Sequence, residues 1–200
     1  DALHRDALVS SSSADNPDPA LFEAALQAEP GNAIYGYDWA MSLRKARDRA
    51  LRNPDLQPEE RRSAQIGIIR ALEQAVRLNP LREEYHIRLA WEYSYLWLEG
   101  DARERWIPAA DLSMERAGFF AGENNPYLHI MMGDYWLMRS KTVSPGGTQW
   151  ESVLARARWH YRKNLSLETG NDRKRMLDHI RRNVWFHYPD EVFLKRMMGE

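Results

Sequence analysis

Tyr35-Gly36-Tyr37-Asp38-Trp39-Ala40-Met41-Ser42-Leu43 is the stretch on which the reading of this chain turns. It lines up with Tyr85-His86-Ile87-Arg88-Leu89-Ala90-Trp91-Glu92-Tyr93 and with Leu128-His129-Ile130-Met131-Met132-Gly133-Asp134-Tyr135-Trp136. Each block opens on a large residue and carries a large–small pair, Trp39-Ala40, Leu89-Ala90 or Met132-Gly133. Another large residue follows three positions on. The small residue lets a neighbouring helix approach, and the large ones fill the space beside it. The helix upstream recurs too, since Phe22, Ala25 and Pro30 match Leu72, Ala75 and Pro80 in spacing. The proline ends one helix and starts the next.

Outward from these blocks the chain reads as helices throughout, with no alternating strand pattern. Residues 1–17, with the serine run Ser10–Ser13 and Asn16-Pro17, read as a loose, partly disordered lead-in whose Leu3, Leu8 and Val9 could dock weakly. The remainder, 18–200, reads as one domain. Its helices are expected over 19–28, 33–52, 58–78, 82–98, 109–121, 126–139, 149–167 and 172–187, with a short last turn over 190–198. Pro30-Gly31, Asn53-Pro54, Asn79-Pro80, Gly100, Pro145-Gly146-Gly147, Gly170 and Tyr188-Pro189 supply the stops. Pro108 is expected to separate a short helical turn from the fifth helix.

These blocks resemble the tetratricopeptide repeat, a helix–turn–helix unit of about 34 residues. The resemblance covers about Asp18–Trp136. It implies an all-α, tetratricopeptide-like α-α superhelix (solenoid) of about eight helices, in which helices seven and eight form a degenerate repeat or a C-terminal cap. The steps from Tyr35 to Tyr85, 50 residues, and from Tyr85 to Leu128, 43 residues, exceed the standard period. The connections around Arg44–Arg62 and Glu99–Ile107 are therefore expected to be lengthened. The segment Arg77-Leu78-Asn79-Pro80-Leu81-Arg82-Glu83-Glu84-Tyr85-His86-Ile87-Arg88-Leu89-Ala90-Trp91, with Asn125-Pro126, Gly133-Asp134-Tyr135-Trp136 and the basic closing helix, also resembles repeats appended to bacterial O-antigen ligase or polymerase-like membrane proteins. That second resemblance implies a soluble accessory domain, expected in the periplasm, beside a membrane region outside this chain. Glycan-transfer chemistry would lie in that membrane part. The start at Asp1 without Met fits a piece of something longer.

Composition narrows the chemistry. There is no cysteine, which removes disulfides, thiolate metal sites and thiol nucleophiles. A net charge of −1 gives no global field toward nucleic acid or membrane. No apolar run approaches the ~18 residues of a membrane span, and no signal peptide is visible. The histidines form no His-x-x-x-His pair, and Glu83 with His86 lacks an evident third ligand. His86 and His129 read as packed, hydrogen-bonded imidazoles. No Gly-x-Ser-x-Gly elbow and no phosphate-cradling glycine pattern occurs. The expectation is a non-catalytic protein without metal or cofactor.

Two surfaces remain. In tetratricopeptide folds the first helix of each pair lines the concave face. Counting from each block's start, the resemblance places Tyr37, Met41, Ile87, Trp91, Tyr95, Ile130 and Asp134 there. Trp91 and Tyr95 are either groove lining or buried by the lengthened helices. The Lys and Asn of a carboxylate clamp are missing, so an aromatic, apolar groove for a peptide helix, an extended segment or sugar rings is expected. The second surface is basic, with Arg173, Lys174, Arg181 and Arg182 as contacts to an anionic surface. Trp159, Tyr161, Trp185 and Phe186 are interleaved with these cations. They read as either core at helical spacing or stacking rings for an anionic polymer. No nucleic-acid-binding motif is present.

Overall fold

The computed structural model describes residues 19–52, 57–100, 102–122 and 124–199. Among them are nine α-helices and no strand. They are α1 (Pro19–Ala28), α2 (Ala33–Ala50), α3 (Pro58–Leu78), α4 (Glu83–Leu98), α5 (Arg103–Phe120), α6 (Pro126–Arg139), α7 (Thr148–Leu167), α8 (Gly170–His187) and α9 (Glu191–Met198). A 3-10 turn, Ser140–Thr142, follows α6. The lead-in over 1–17 and the Asn53-Pro54 turn lie outside the described residues. The helices pack as two compact units divided between Phe120 and Ala121. Reading 18–200 as one domain does not mark this division.

Local chemistry sets the helix ends. Asn32 accepts from the Ile34 N–H at 3.1 Å, Asn125 from Leu128 at 3.3 Å and Asp190 from Phe193 at 2.8 Å. Each satisfies a donor that the first turn leaves open. Pro58 and Pro126 stand at the first helical position, where no donor is lost. Two expectations need correction. α5 begins at Arg103 and runs through Pro108 as one helix. The proline falls in its second turn and removes one hydrogen bond near an end, where the loss is smallest. Gly170 opens α8 and does not close α7, which stops at Leu167.

In the first unit, α2 and α3 form an antiparallel hairpin. Gly36, near the start of α2, lies against Ala71 and Ala75 late in α3, while Arg47, near its end, reaches Gln65 early in α3. A Cβ at Gly36 would sit 3.3 Å from the Ala71 carbonyl oxygen, so the small residue permits this approach. α4 and α5 pair likewise, with His86 stacked on Phe120 and Tyr93 on Trp106. α2 and α4 run parallel and adjacent. Tyr37 stacks on Tyr85 at 4.7 Å near their starts, and Arg47 meets Glu92 near their ends. Phe22, Ile68, Leu72, Ile87, Leu96, Trp97 and Met114 are fully buried between these helices. Each such side chain contributes about 1.5–3 kcal/mol relative to exposure.

The second unit repeats the pattern. α6 and α7 are antiparallel, with Pro126 against Asn164, Gly133 against Tyr161 and Trp136 under Arg156. α6 and α8 run parallel, since Asp134 meets His179 and Asn183 while Ser140 meets Tyr188. α9 folds back so that Phe193 packs on Tyr188 and Trp150.

Candidate functional site

The three blocks share one burial pattern. Ala40, Ala90 and Gly133 are buried, as are Tyr35, Tyr85 and Leu128. α4 is enclosed on most of its circumference, and beyond Glu83 in its first turn the positions left partly or fully open are Glu84, Arg88, Trp91, Tyr95 and Leu98. These recur every three or four residues and so form one stripe along the helix. The corresponding stripe on α2 runs through Ile34, Asp38, Met41 and Lys45, and on α6 through Tyr127, Met131 and Asp134.

The expected groove residues separate on this basis. Met41, Trp91 and Tyr95 lie on the stripes, and Tyr95 is 39% exposed. Tyr37 is half-buried beside the α2 stripe, with its ring on Tyr85 and its hydroxyl donating to Glu84 Oε1 at 2.6 Å. Burial, then the Glu84 carboxylate, pushes its pKa up to about 12. Ile87 and Ile130 are corrected. They are 1% and 7% exposed, because counting from each block's start points one residue short of the outward position. Arg88 and Met131 take those places. Five of the seven residues belong to the first unit and Ile130 and Asp134 to the second.

Beneath Tyr95 lies a buried ionic network that single-helix reading missed. Arg47 Nη1 donates to Glu92 Oε2 at 2.6 Å and also to Gln65 Oε1. Gln65 Nε2 donates to the Glu92 carboxylate at 2.8 Å and to its backbone oxygen at 2.7 Å. The guanidinium also covers the Tyr95 ring at 4.7 Å. Burial works against the Arg47 charge, but Glu92 and Asp48 outweigh it and raise the pKa. The network joins α2, α3 and α4 and fixes the ring that faces outward. Next to Glu92 in the chain, Tyr93 donates to Glu73 at 2.6 Å at the edge of a cavity of about 330 Å³ lined by Arg77, Arg116, Leu89 and Leu112.

In the second unit Asp134 is the centre of a second network. Its Oδ1 accepts from Tyr161 Oη at 2.9 Å and Asn183 Nδ2 at 2.7 Å, and its Oδ2 accepts from His179 Nε2 at 2.8 Å. The hydrogen bond to Asp134 raises the His179 pKa against the opposing effect of burial. His129 and His160 face each other through Nδ1 at 3.1 Å. One must donate and the other accept, so one proton lies between them. Burial, His129 and Arg156 push His160 down to about 3. His86 donates from Nε2 to the Pro80 carbonyl oxygen at 2.8 Å. Among the described residues no three His, Asp or Glu side chains converge as a metal ion would require.

Arg173, Lys174, Arg181 and Arg182 are all exposed on α8. The rings among the basic residues are not uniformly core. Tyr161 is buried, whereas Trp159, Trp185 and Phe186 are exposed. Among the described residues no helix is long and apolar enough to cross a membrane. Compared with protein-family models, curated proteins and solved structures, the chain matches none.

Proposed function

We propose that this chain is a tetratricopeptide-like helical-repeat scaffold that holds a protein partner, a peptide helix or an extended segment, along the outward stripes of α2 and α4. One observation carries the reading: these two helices lie parallel and adjacent, with α3 packed against both. Side by side, their stripes present Met41, Trp91 and Tyr95 flanked by the charges of Asp38, Lys45, Glu84 and Arg88. Aromatic and long apolar side chains ringed by charge suit a helix or strand that brings two or three apolar anchors. The first helices of tetratricopeptide hairpins occupy the equivalent position, and the shared burial of the three blocks supports a repeat origin. The buried Arg47–Glu92–Gln65 network preorganises Tyr95, which lowers the ordering cost of binding.

A photo-crosslinking amino acid at Tyr95, and a control at Arg70 on the exposed side of α3, tests the reading in the cell that makes the protein. The expected result is a discrete protein adduct from position 95, absent from position 70 and lost on Met41→Glu. Indistinguishable adducts from the two positions, or none from position 95, would overturn it.

A second reading is an accessory domain of a glycan-assembling membrane enzyme. The half-exposed Trp159 favours it, since an exposed indole suits stacking on sugar rings. Titration with the host polysaccharide should then quench tryptophan emission, less so in Trp159→Phe, and a flat titration removes this reading.

A further inference from the structure

The outward face of α8 is both cationic and apolar. Ile180 and Val184 are its buried residues, so the opposite arc faces solvent. Along that arc Lys174, Arg181 and Trp185 form one row, and Arg175, Arg182 and Phe186 form the next. Each aromatic ring therefore stands one helical turn beyond an arginine. Trp185 is 50% exposed and Phe186 80%, and Val192, just beyond the Tyr188–Asp190 connection, is 78% exposed. α8 carries five cations against Asp172 and Asp178, and of these Arg175 engages Asp172 at 3.6 Å. The fold leaves two large rings and a valine uncovered beside this positive charge.

We propose that this face of the second unit docks peripherally on an anionic lipid surface. Arg181 and Arg182 meet the headgroup phosphates, and Trp185, Phe186 and Val192 enter the interfacial layer. Charge alone would suit any polyanion. Val192 beside Phe186 decides for lipid, because an aliphatic side chain offers a polyanion neither a polar atom nor a ring to stack on, and a bilayer interface takes apolar side chains and cations together. Trp185 has an apolar body and one N–H, the combination that favours the headgroup level. The inference concerns a different face from α2 and α4 and stands whether or not a protein binds there.

The test is co-sedimentation of the full chain with vesicles of phosphatidylcholine alone and of phosphatidylcholine with about one-third phosphatidylglycerol. The chain should pellet with the anionic vesicles and stay in solution with the neutral ones. Arg181→Glu with Arg182→Glu should weaken partitioning by more than about tenfold. Phe186→Ser with Val192→Ser should weaken it by about tenfold at unchanged charge. Circular dichroism and melting check that the variants fold. If the charge reversal lowers helicity, Arg181→Gln with Arg182→Gln reads the same contact. Failure to pellet with either vesicle overturns the proposal. Pelleting that is indifferent to the serine substitutions, with equal retention on double-stranded DNA, also overturns it and assigns the face to a polyanion.

Discussion

Arg47 and Glu92 close a buried ion pair at 2.6 Å between two parallel helices, with neither side chain open to solvent. Removing one partner leaves the other with its remaining counter-ion alone, Asp48 for Arg47 at 2.8 Å and Arg44 for Glu92 at 3.5 Å. Arg47→Ala or Glu92→Ala should each cost about 1.5–3 kcal/mol in chemical denaturation, the range of a hydrogen bond to a charged group. Arg47→Met combined with Glu92→Leu should cost clearly less than the two alanine changes summed. A double variant as unstable as that sum would show that the pair is not a coupled unit.

Gly133 and Gly67 should respond in opposite directions to alanine. A Cβ at Gly133 would lie 2.4 Å from Tyr161 Cδ1, and that ring is held by its bond to Asp134. Gly133→Ala should therefore destabilise by about 1–3 kcal/mol or more. At Gly67, within α3, a Cβ meets nothing within 4 Å, so Gly67→Ala should stabilise by about 0.8–1 kcal/mol through helix propensity. Thermal melting of the two variants decides, and equal shifts would contradict the packing described.

Acid should weaken the second unit through His160. Its pKa falls from 6.5 to about 3 on folding, so within that window the unfolded chain binds a proton that the folded chain refuses. Stability is then complete above pH 6.5 and declines as pH falls toward 3. His86 and His187, also lowered chiefly by burial, act in the same direction. His179 acts oppositely, because its raised pKa adds stability at low pH that is lost as pH rises through the folded value. Urea midpoints at about pH 7.5 and about pH 5 should fall on acidification, and His160→Gln should flatten the decline. Parallel declines in both proteins would remove His160 as the cause.

Asp134→Asn should lower the His179 pKa, since the carboxylate supplies both the hydrogen bond and the charge that raise it. Titration of the imidazole resonances by NMR reads this site by site. An unmoved His179 would place the cause elsewhere.

The helices were legible because their boundaries are written in local chemistry. α3 starts at Pro58 and stops before Asn79-Pro80, and α6 starts at Pro126 behind its Asn125 cap. Pro108 misled, since a proline's cost depends on its distance from the helix end and not on its presence. The outward stripe lies one residue beyond Ile87 and Ile130, at Arg88 and Met131. A helix wrapped on most sides is apolar nearly all round, so the narrow exposed line leaves little periodic contrast. The Arg47–Glu92 contact requires the register between two helices 45 residues apart, which neither helix records alone. The cations of α8 were plain in the sequence. The exposure of Trp185 and Phe186 was not, because an aromatic at helical spacing has the same pattern whether it faces core or solvent.

The enclosure of α4 has a consequence for how such a surface diversifies. Ten of its sixteen residues are buried, and the open ones are Glu83, Glu84, Arg88, Trp91, Tyr95 and Leu98, of which Glu84 and Tyr95 also hold Tyr37 and Arg47 of α2. If a partner binds as proposed, its choice on this helix is spelled in those few open positions, and related chains with different partners should diverge there first while the buried residues between them stay under the constraint of packing.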